Sequence, residues 1–248
     1  MKRLCFVLIA IALLASPVFA DVTVTMSVSI TGPMAADGTV INFLKGTKAR
    51  SDAKMMGHDV SILIDAATRQ QWMINHTTKQ IEPMNPQQAL AGMPITFGDT
   101  KVSVTATGQT KEILGRVCQG FNVEASVPMT LGGETLTMKL TGPTWIAKDG
   151  PGVAEYRAAE KVLADAGLSI SALSQGPQAK GMSDVAKALG DTGLVMEQEI
   201  RMAMEGTGQV AQLMGQMGNM TMGLKVTAIA TDPIADAKFA FPEGYAKK

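Results

Sequence analysis

The residues that could do chemistry in this chain are few. Histidine occurs only at His58 and His76, and cysteine only at Cys5 and Cys118. Nucleophilic hydrolysis needs a nucleophile beside a base that an acid orients. Neither histidine neighbours a nucleophile elbow, and GLSIS at 167–171 departs from the GxSxG pattern. Both histidines stand among glycine, asparagine and threonine, as turn residues do. Cys118 falls in a strand-like run between Gly115 and Gly120, which predicts a buried, inert thiol; a disulfide to another protein is the alternative. One cysteine and two separated histidines do not make a zinc set. Glu197 and Glu199, two apart on a strand, share its polar face, where solvation is expected rather than acid/base work. Gly215, Gly218 and Gly223 lack the lysine and hydroxyl residue of a phosphate loop. The chain therefore reads as a non-enzyme without a cofactor.

The stretch QLMGQMGNMTMG, residues 212–223, is the other concentration of reactive side chains. Met214, Met217, Met220 and Met222 supply soft thioethers of the kind that hold Cu(I), with no histidine or cysteine nearby to strengthen the site. Read as a helix, Val210, Leu213, Met214 and Met217 form one apolar stripe opposite Gln209, Gln212, Gln216 and Asn219. Gly208, Gly215 and Gly218 would each cost such a helix about 1 kcal/mol relative to alanine, so it would need a surface to lie on, as a lid does. A long hairpin connection whose methionines tuck onto a sheet is the third reading.

The elements that must position these groups follow from the ends and the periodicity. Lys2 and Arg3, an apolar run from Leu4 to Ala15, and Val18-Phe19-Ala20 before Asp21 form a secretory signal with its cut after Ala20. The apolar run falls short of the roughly 20 residues of a membrane-spanning helix. Removing it turns a balance of 22 basic and 22 acidic residues slightly acidic, which argues against nucleic acid as a partner. Only Cys118 then remains, so the exported chain forms no internal disulfide. Aromatics make up 4% of the chain against 18 methionines, an adaptable rather than a rigid filling.

Residues 22–31, VTVTMSVSIT, alternate without a break and predict a half-buried strand that Gly32-Pro33 stops. A second strand is expected over 39–45, followed by Lys48, Arg50 and Asp52 on a polar face. SILID, QQWMIN and KQIEPM, at 61–65, 70–75 and 79–84, are joined by connections short enough for an antiparallel meander. Further β structure is expected over 102–125 and in ETLTMKLTG. VAEYRAAEKVLADAG has helical density and stops at Gly167, and Ser183 could cap a short helix to Leu189. LVMEQEIRMAM and MGLKVTAIA alternate again. The first places Leu194, Met196, Ile200, Met202 and Met204 on one face. One β-rich domain over 21–248 is the economical account.

In order along the chain, FLKGTKARSD, ILIDAATRQQWMIN, ILGRVCQGFNVE, TWIAKDGPG and KVTAIATDPIADAKFAFPEGY resemble the bacterial domain-of-unknown-function family numbered 4412. That family is similar in architecture to the lipoprotein-localisation (LolA/LolB-like) carriers. The resemblance implies an exported protein with a curved antiparallel half barrel closed by helices. The fold expected is thus mainly β (α+β), with two or three helices over one face. The function expected is non-catalytic, periplasmic binding of an apolar ligand, a lipid or a lipidated partner, in a methionine-lined groove. Trp72, Trp145, Met214, Met217, Met220 and Met222 are the candidate lining. A Cu(I)-binding protein using 214–222 and a structural envelope protein without a small ligand are the alternatives.

Overall fold

The computed structural model describes residues 21–33, 35–84, 95–170, 184–185, 188–189, 192–209, 211–212 and 220–248. The signal segment, Met214 and Met217 lie outside the described residues, as do much of the helix expected after Ser183 and the turn expected at 86–90.

The first alternating run forms β1 (Val22–Thr31), and β2 (Ala36–Lys45), β3 (Lys48–Met55), β4 (His58–Asp65), β5 (Gln70–Asn75) and β6 (Gln80–Pro83) follow as the expected meander. The turns have local causes. Met56 and Gly57 both take positive φ (54° and 77°), as a two-residue hairpin turn requires. The next two turns repeat one device: Asp65 Oδ1 accepts from the Ala67 N–H at 3.0 Å, and Asn75 Oδ1 from Thr77 and Thr78 at 3.0 and 2.9 Å. The remaining strands are β7 (Ile95–Phe97), β8 (Lys101–Ile113), β9 (Arg116–Leu131), β10 (Glu134–Ala147), β11 (Leu194–Gly206), β12 (Met220–Ala230) and β13 (Ala246–Lys247).

All belong to one sheet of 13 strands in the order β13-β6-β5-β4-β3-β2-β1-β12-β11-β10-β9-β7, with β8 also on β9. Every pairing is antiparallel except that of β13 with β6. Among the described residues the sheet is open, because the β13 edge and the β7/β8 edge do not pair with each other. β1 bonding to β12 joins the N-terminal meander to the C-terminal hairpins, so the first and last long strands lie at the middle.

One α-helix, α1 (Val153–Asp165), is complete among the described residues where two or three were expected, and described residues 184–185, 188–189, 209 and 211–212 are helical as well. VAEYRAAEKVLAD is rich in alanine, glutamate and leucine, good helix formers, between Gly152 and Gly167. Gly152 (φ 84°) starts the helix, and a Cβ there would come within 2.5 Å of Ile229, so the glycine lets α1 begin hard against β12. Gly167 (φ 76°) ends it, with the Leu168 N–H donating to Leu163 O and the Gly167 N–H to Ala164 O, both at 2.9 Å. No described helix is long and apolar enough to cross a membrane.

The apolar interior is in three clusters. The first joins Val22, Val24, Met26 and Val28 of β1 with β2–β4 and with Val153, Tyr156, Ala159 and Leu163 of α1. The second lies on β9–β11, and the third on β4–β6 beneath the C-terminal segment. Leu194 and Met196 belong to the first cluster and Ile200, Met202 and Met204 to the second, although strict alternation puts all five on one face. A register shift opposite Trp145/Ile146 is the cause: a bulge re-aims the strand.

Candidate functional site

The face of β2–β4 under α1 has an unusual floor. β3 turns Ala49, Ser51 and Ala53 inward, three short side chains in succession. Register sets taller walls on either side: Leu44, Asn42 and Val40 from β2, and Ile64, Ile62 and Val60 from β4. Ser51 and Asn42 face each other directly across the β2–β3 pair and are 0% and 3% exposed. Ser51 Oγ and Asn42 Oδ1 have no hydrogen-bond partner. From the helix side, the Tyr156 hydroxyl meets both Asn42 and Glu160. Burial, with the neighbouring Glu160 charge and hydrogen bond, pushes the Tyr156 phenol well above its ordinary range. Burial likewise raises the Glu160 carboxyl, against the opposing pull of its Tyr156 hydrogen bond. Asn42, Ser51 and Tyr156 are thus buried polar side chains in an otherwise aliphatic layer, with half-buried Glu160 bonded to Tyr156.

The second cluster also carries methionines. Met129 and Met138 are buried there, Met202 and Met204 pack against them half-buried, and Val185, Leu189 and Ala211 reach the cluster from outside the sheet. Of the four methionines singled out in the sequence, Met220 is half-buried in β12 opposite Met202, and Met222 is buried opposite Ile200. The tryptophans are not brought together. Trp145 packs against the first cluster with Lys111 Nζ 4.4 Å above its ring. Its ring leaves no room for a side chain at Gly120, where a Cβ would lie 3.0 Å away. Trp72 is in the third cluster, edge-on to Phe241 with centroids 5.2 Å apart.

A buried polar network escaped the sequence reading. Arg50 Nε donates to Asp52 Oδ1 at 2.6 Å and Arg50 NH2 to Ser61 Oγ at 3.0 Å, while Ser61 donates to Asp52 Oδ1 at 2.6 Å. His76 Nε2 lies 2.7 Å from Ser61 Oγ, and Nδ1 lies 3.0 Å from the Tyr245 hydroxyl. Lys238 Nζ closes the network on Asp52 Oδ2 at 2.8 Å, and its carbonyl accepts from Arg50 NH1 at 3.2 Å. Serine, histidine and aspartate are all present, but in the wrong order for a triad. The carboxylate holds the serine, the single Ser61 proton is spent on it, and Tyr245 occupies the imidazole nitrogen that an acid would orient. Ser61 is also fully buried. The network binds the C-terminal segment to the outer side of β3–β5. Cross-strand pairing of Asp52 with Ser61 brings the network together, where the sequence alone places Lys48, Arg50 and Asp52 on a polar face.

Cys118 is the expected buried thiol: burial pushes its pKa up, and Sγ donates to Arg116 O at 3.5 Å. Among the described residues no three histidine, cysteine or carboxylate groups gather as metal ligands. Glu197 pairs with Lys111 at 2.6 Å beside two shallow grooves of about 310 and 440 Å³ that share Glu197 and Lys225.

No family model matches the chain. No curated protein matches it either. Among solved structures, it is similar to a LolA superfamily protein from Nitrosomonas europaea at 8% identity, over 90% of this chain and 91% of that one, with a TM-score of 0.31. It is similar to an outer membrane lipoprotein-sorting protein domain from Vibrio parahaemolyticus at 7% identity, over 89% of each chain, with a TM-score of 0.32. A DUF1329 family protein from Desulfovibrio piger is similar at 8% identity, over 89% of this chain and 90% of that one, with a TM-score of 0.30. The solved structures to which this chain is similar are thus LolA superfamily and domain-of-unknown-function proteins.

Proposed function

We propose that the chain is an exported, periplasmic, non-catalytic protein that holds an apolar ligand, a lipid or the acyl chain of a lipidated partner, against the apolar side of its sheet. The observation that carries this, made of the described residues, is a mismatch of areas. The first two clusters extend over eight adjacent strands, from β4 through β1 and β12 to β9, which is roughly 35 Å at about 4.8 Å per strand. The 13 residues of α1 form a rod about 20 Å long and about 10 Å wide. Large apolar side chains are left half-buried at the margins: Met55, Val60 and Met84 at one side, Val102, Met202 and Met204 at the other. Methionine at such a margin suits a ligand of variable shape. Met220 and Met222, with Met202 beside them, and Met214 and Met217 of the same stretch, are assigned to the lining, and Trp145 to its boundary. Trp72, engaged with Phe241, is the weakest member of the set. The export signal and the single remaining cysteine support the compartment.

Native mass spectrometry of protein purified gently from the periplasm tests this reading. A bound mass in the lipid or fatty-acid range, lost on denaturation, is the expected result. A bare polypeptide mass, together with no binding of apolar probes, would overturn it. A retained copper increment would instead favour the methionine clasp.

A further inference from the structure

The two edges of the sheet are built differently. The β13 edge is two residues long, Ala246 and Lys247, and Lys248 beside it pairs with Glu82 of β6 at 2.9 Å. Short, charged edges are how open sheets avoid joining other chains. The opposite edge has β8 along most of β9, and among the described residues β8 pairs with β9 alone. This strand is 13 residues long, and its stretch 102–110, VSVTATGQT, carries no charge. Val102 to Ala106 run in unbroken register with Ala125 to Phe121 of β9, and all five are half-buried or exposed. Every second N–H and C=O of that run points away from β9. A flat, uncharged edge rich in valine and threonine is a template for another strand.

The run has definite ends. Beyond Ala106 the register with β9 shifts, Thr107 Oγ1 donates to Gly120 O at 3.0 Å and accepts from the Gln109 N–H at 3.2 Å, and Gly108 takes φ 73°. Such a bulge bends the strand and ends regular pairing. Lys101 stands at the other end.

The pattern within the run selects the occupant. Directly opposed residues of an antiparallel pair share a face. The strand that fits must therefore place small apolar side chains opposite Val102, Val104 and Ala106, and hydroxyls opposite Ser103 and Thr105. β8 is itself such a strand. A two-fold axis through Val104, the midpoint of 102–106, sets Val102 against Ala106, Val104 against its own copy and Ser103 against Thr105. Lys101 then falls opposite Thr107 and meets no like charge. Glu124, opposite Ser103 on β9, is one strand further from the partner. Val102 and Val104 pack against the second apolar cluster, so the pairing carries that cluster across the axis.

We infer that the chain forms a symmetric dimer through its β8 edge, two copies of residues 101–107 pairing antiparallel about Val104 into one continuous sheet. The two-fold contact uses up this edge on both copies and the β13 edge is guarded, so assembly stops at two. The dimer stands independently of the apolar-ligand reading.

Sedimentation velocity of the full exported protein over a wide concentration series tests it, with two double variants at Ser103 and Thr105, both exposed. Ser103→Lys with Thr105→Lys sets lysine against lysine across the axis. Ser103→Lys with Thr105→Glu sets lysine against glutamate. The wild type should be a reversible dimer, and the double-lysine variant should dissociate about tenfold more readily or worse. The lysine–glutamate variant should return to within about threefold of the wild type or bind tighter, an order that a loss of folding would not produce. A wild type that is monomeric at every concentration, or one dissociation constant shared by all three proteins, would overturn the edge dimer. Equal weakening of both variants would overturn the pairing about Val104. None of these outcomes bears on the carrier reading.

Discussion

The imidazole of His76 and the hydroxyl of Tyr245, 169 residues apart in sequence, lie 3.0 Å apart and fasten the C-terminal segment to the turn after β5. His76 also reaches Ser61, which reaches Asp52, which Lys238 holds from the same C-terminal segment. The segment therefore has a polar bolt at each end. Phe239 between them, and Ile234 before the first, are buried on Leu63, Ile74 and Ile81. This gives FAFPEGY, residues 239–245, a structural role.

Tyr245→Phe removes one hydrogen bond at the margin of that segment and should cost about 1 kcal/mol. Phe239→Ala removes a buried ring and should cost about 3–5 kcal/mol. Urea unfolding of the two variants checks the ranking. Equal effects would show that the polar bolt, not the apolar contact, holds the segment.

Asp52 sets an acid limit on stability. Burial works against its charge, but hydrogen bonds from Lys238, Ser61 and Arg50 outweigh it and hold the carboxyl below its ordinary value. A depressed folded-state pKa contributes stability that is present above the unfolded value, near 3.8, and is lost as pH falls through the folded value. Asp52→Asn should therefore destabilise at neutral pH, and the gap from wild type should shrink below about pH 4. Thermal melts from pH 7 to pH 2.5 read this directly, and a gap independent of pH would refute it.

Glu160 should behave oppositely. Its folded-state pKa is raised by burial, so its contribution is complete below the unfolded value and declines as pH rises through the folded one. Glu160→Gln keeps the shape and removes the ionisation. The variant should melt higher than wild type at pH 8 and alike at pH 4, and the same difference at both would exclude a titrating Glu160.

Gly142 lies where a Cβ would overlap the Glu199 carbonyl of β11. Gly142→Ala must push β10 and β11 apart, at a cost of about 1–3 kcal/mol. Chemical denaturation measures it, and a neutral result would mean that the two strands separate freely.

Cys118 is 0% exposed with a raised thiol pKa. A maleimide should label it at least a hundredfold faster in denaturant than in the native protein. Comparable rates would contradict the buried position.

Alternation by itself determined much of this molecule. β1, the meander through β6 and the two closing strands were legible because a side-chain period of two is a local property, and QQWMIN even had its observed bounds. α1 was equally plain, since its composition and the glycines at both ends act within a few residues. The resemblance to lipoprotein-localisation carriers rests on several short phrases in order, and no family model matches the chain. What required the tertiary structure is whatever depends on partners far apart in the chain. The β1–β12 pairing placed the first and last long strands at the middle of one open sheet. A bulge opposite Trp145/Ile146 divided one alternating strand between two clusters. His76 read as a turn residue because its context is N-H-T-T, and only Tyr245 and Ser61 made it part of a buried network. Ser51 and Asn42 look in sequence like ordinary polar residues of two β strands. Register across β2–β3 and the helix above them turned the pair inward, because burial is set by what packs on a strand and not by the residues in it.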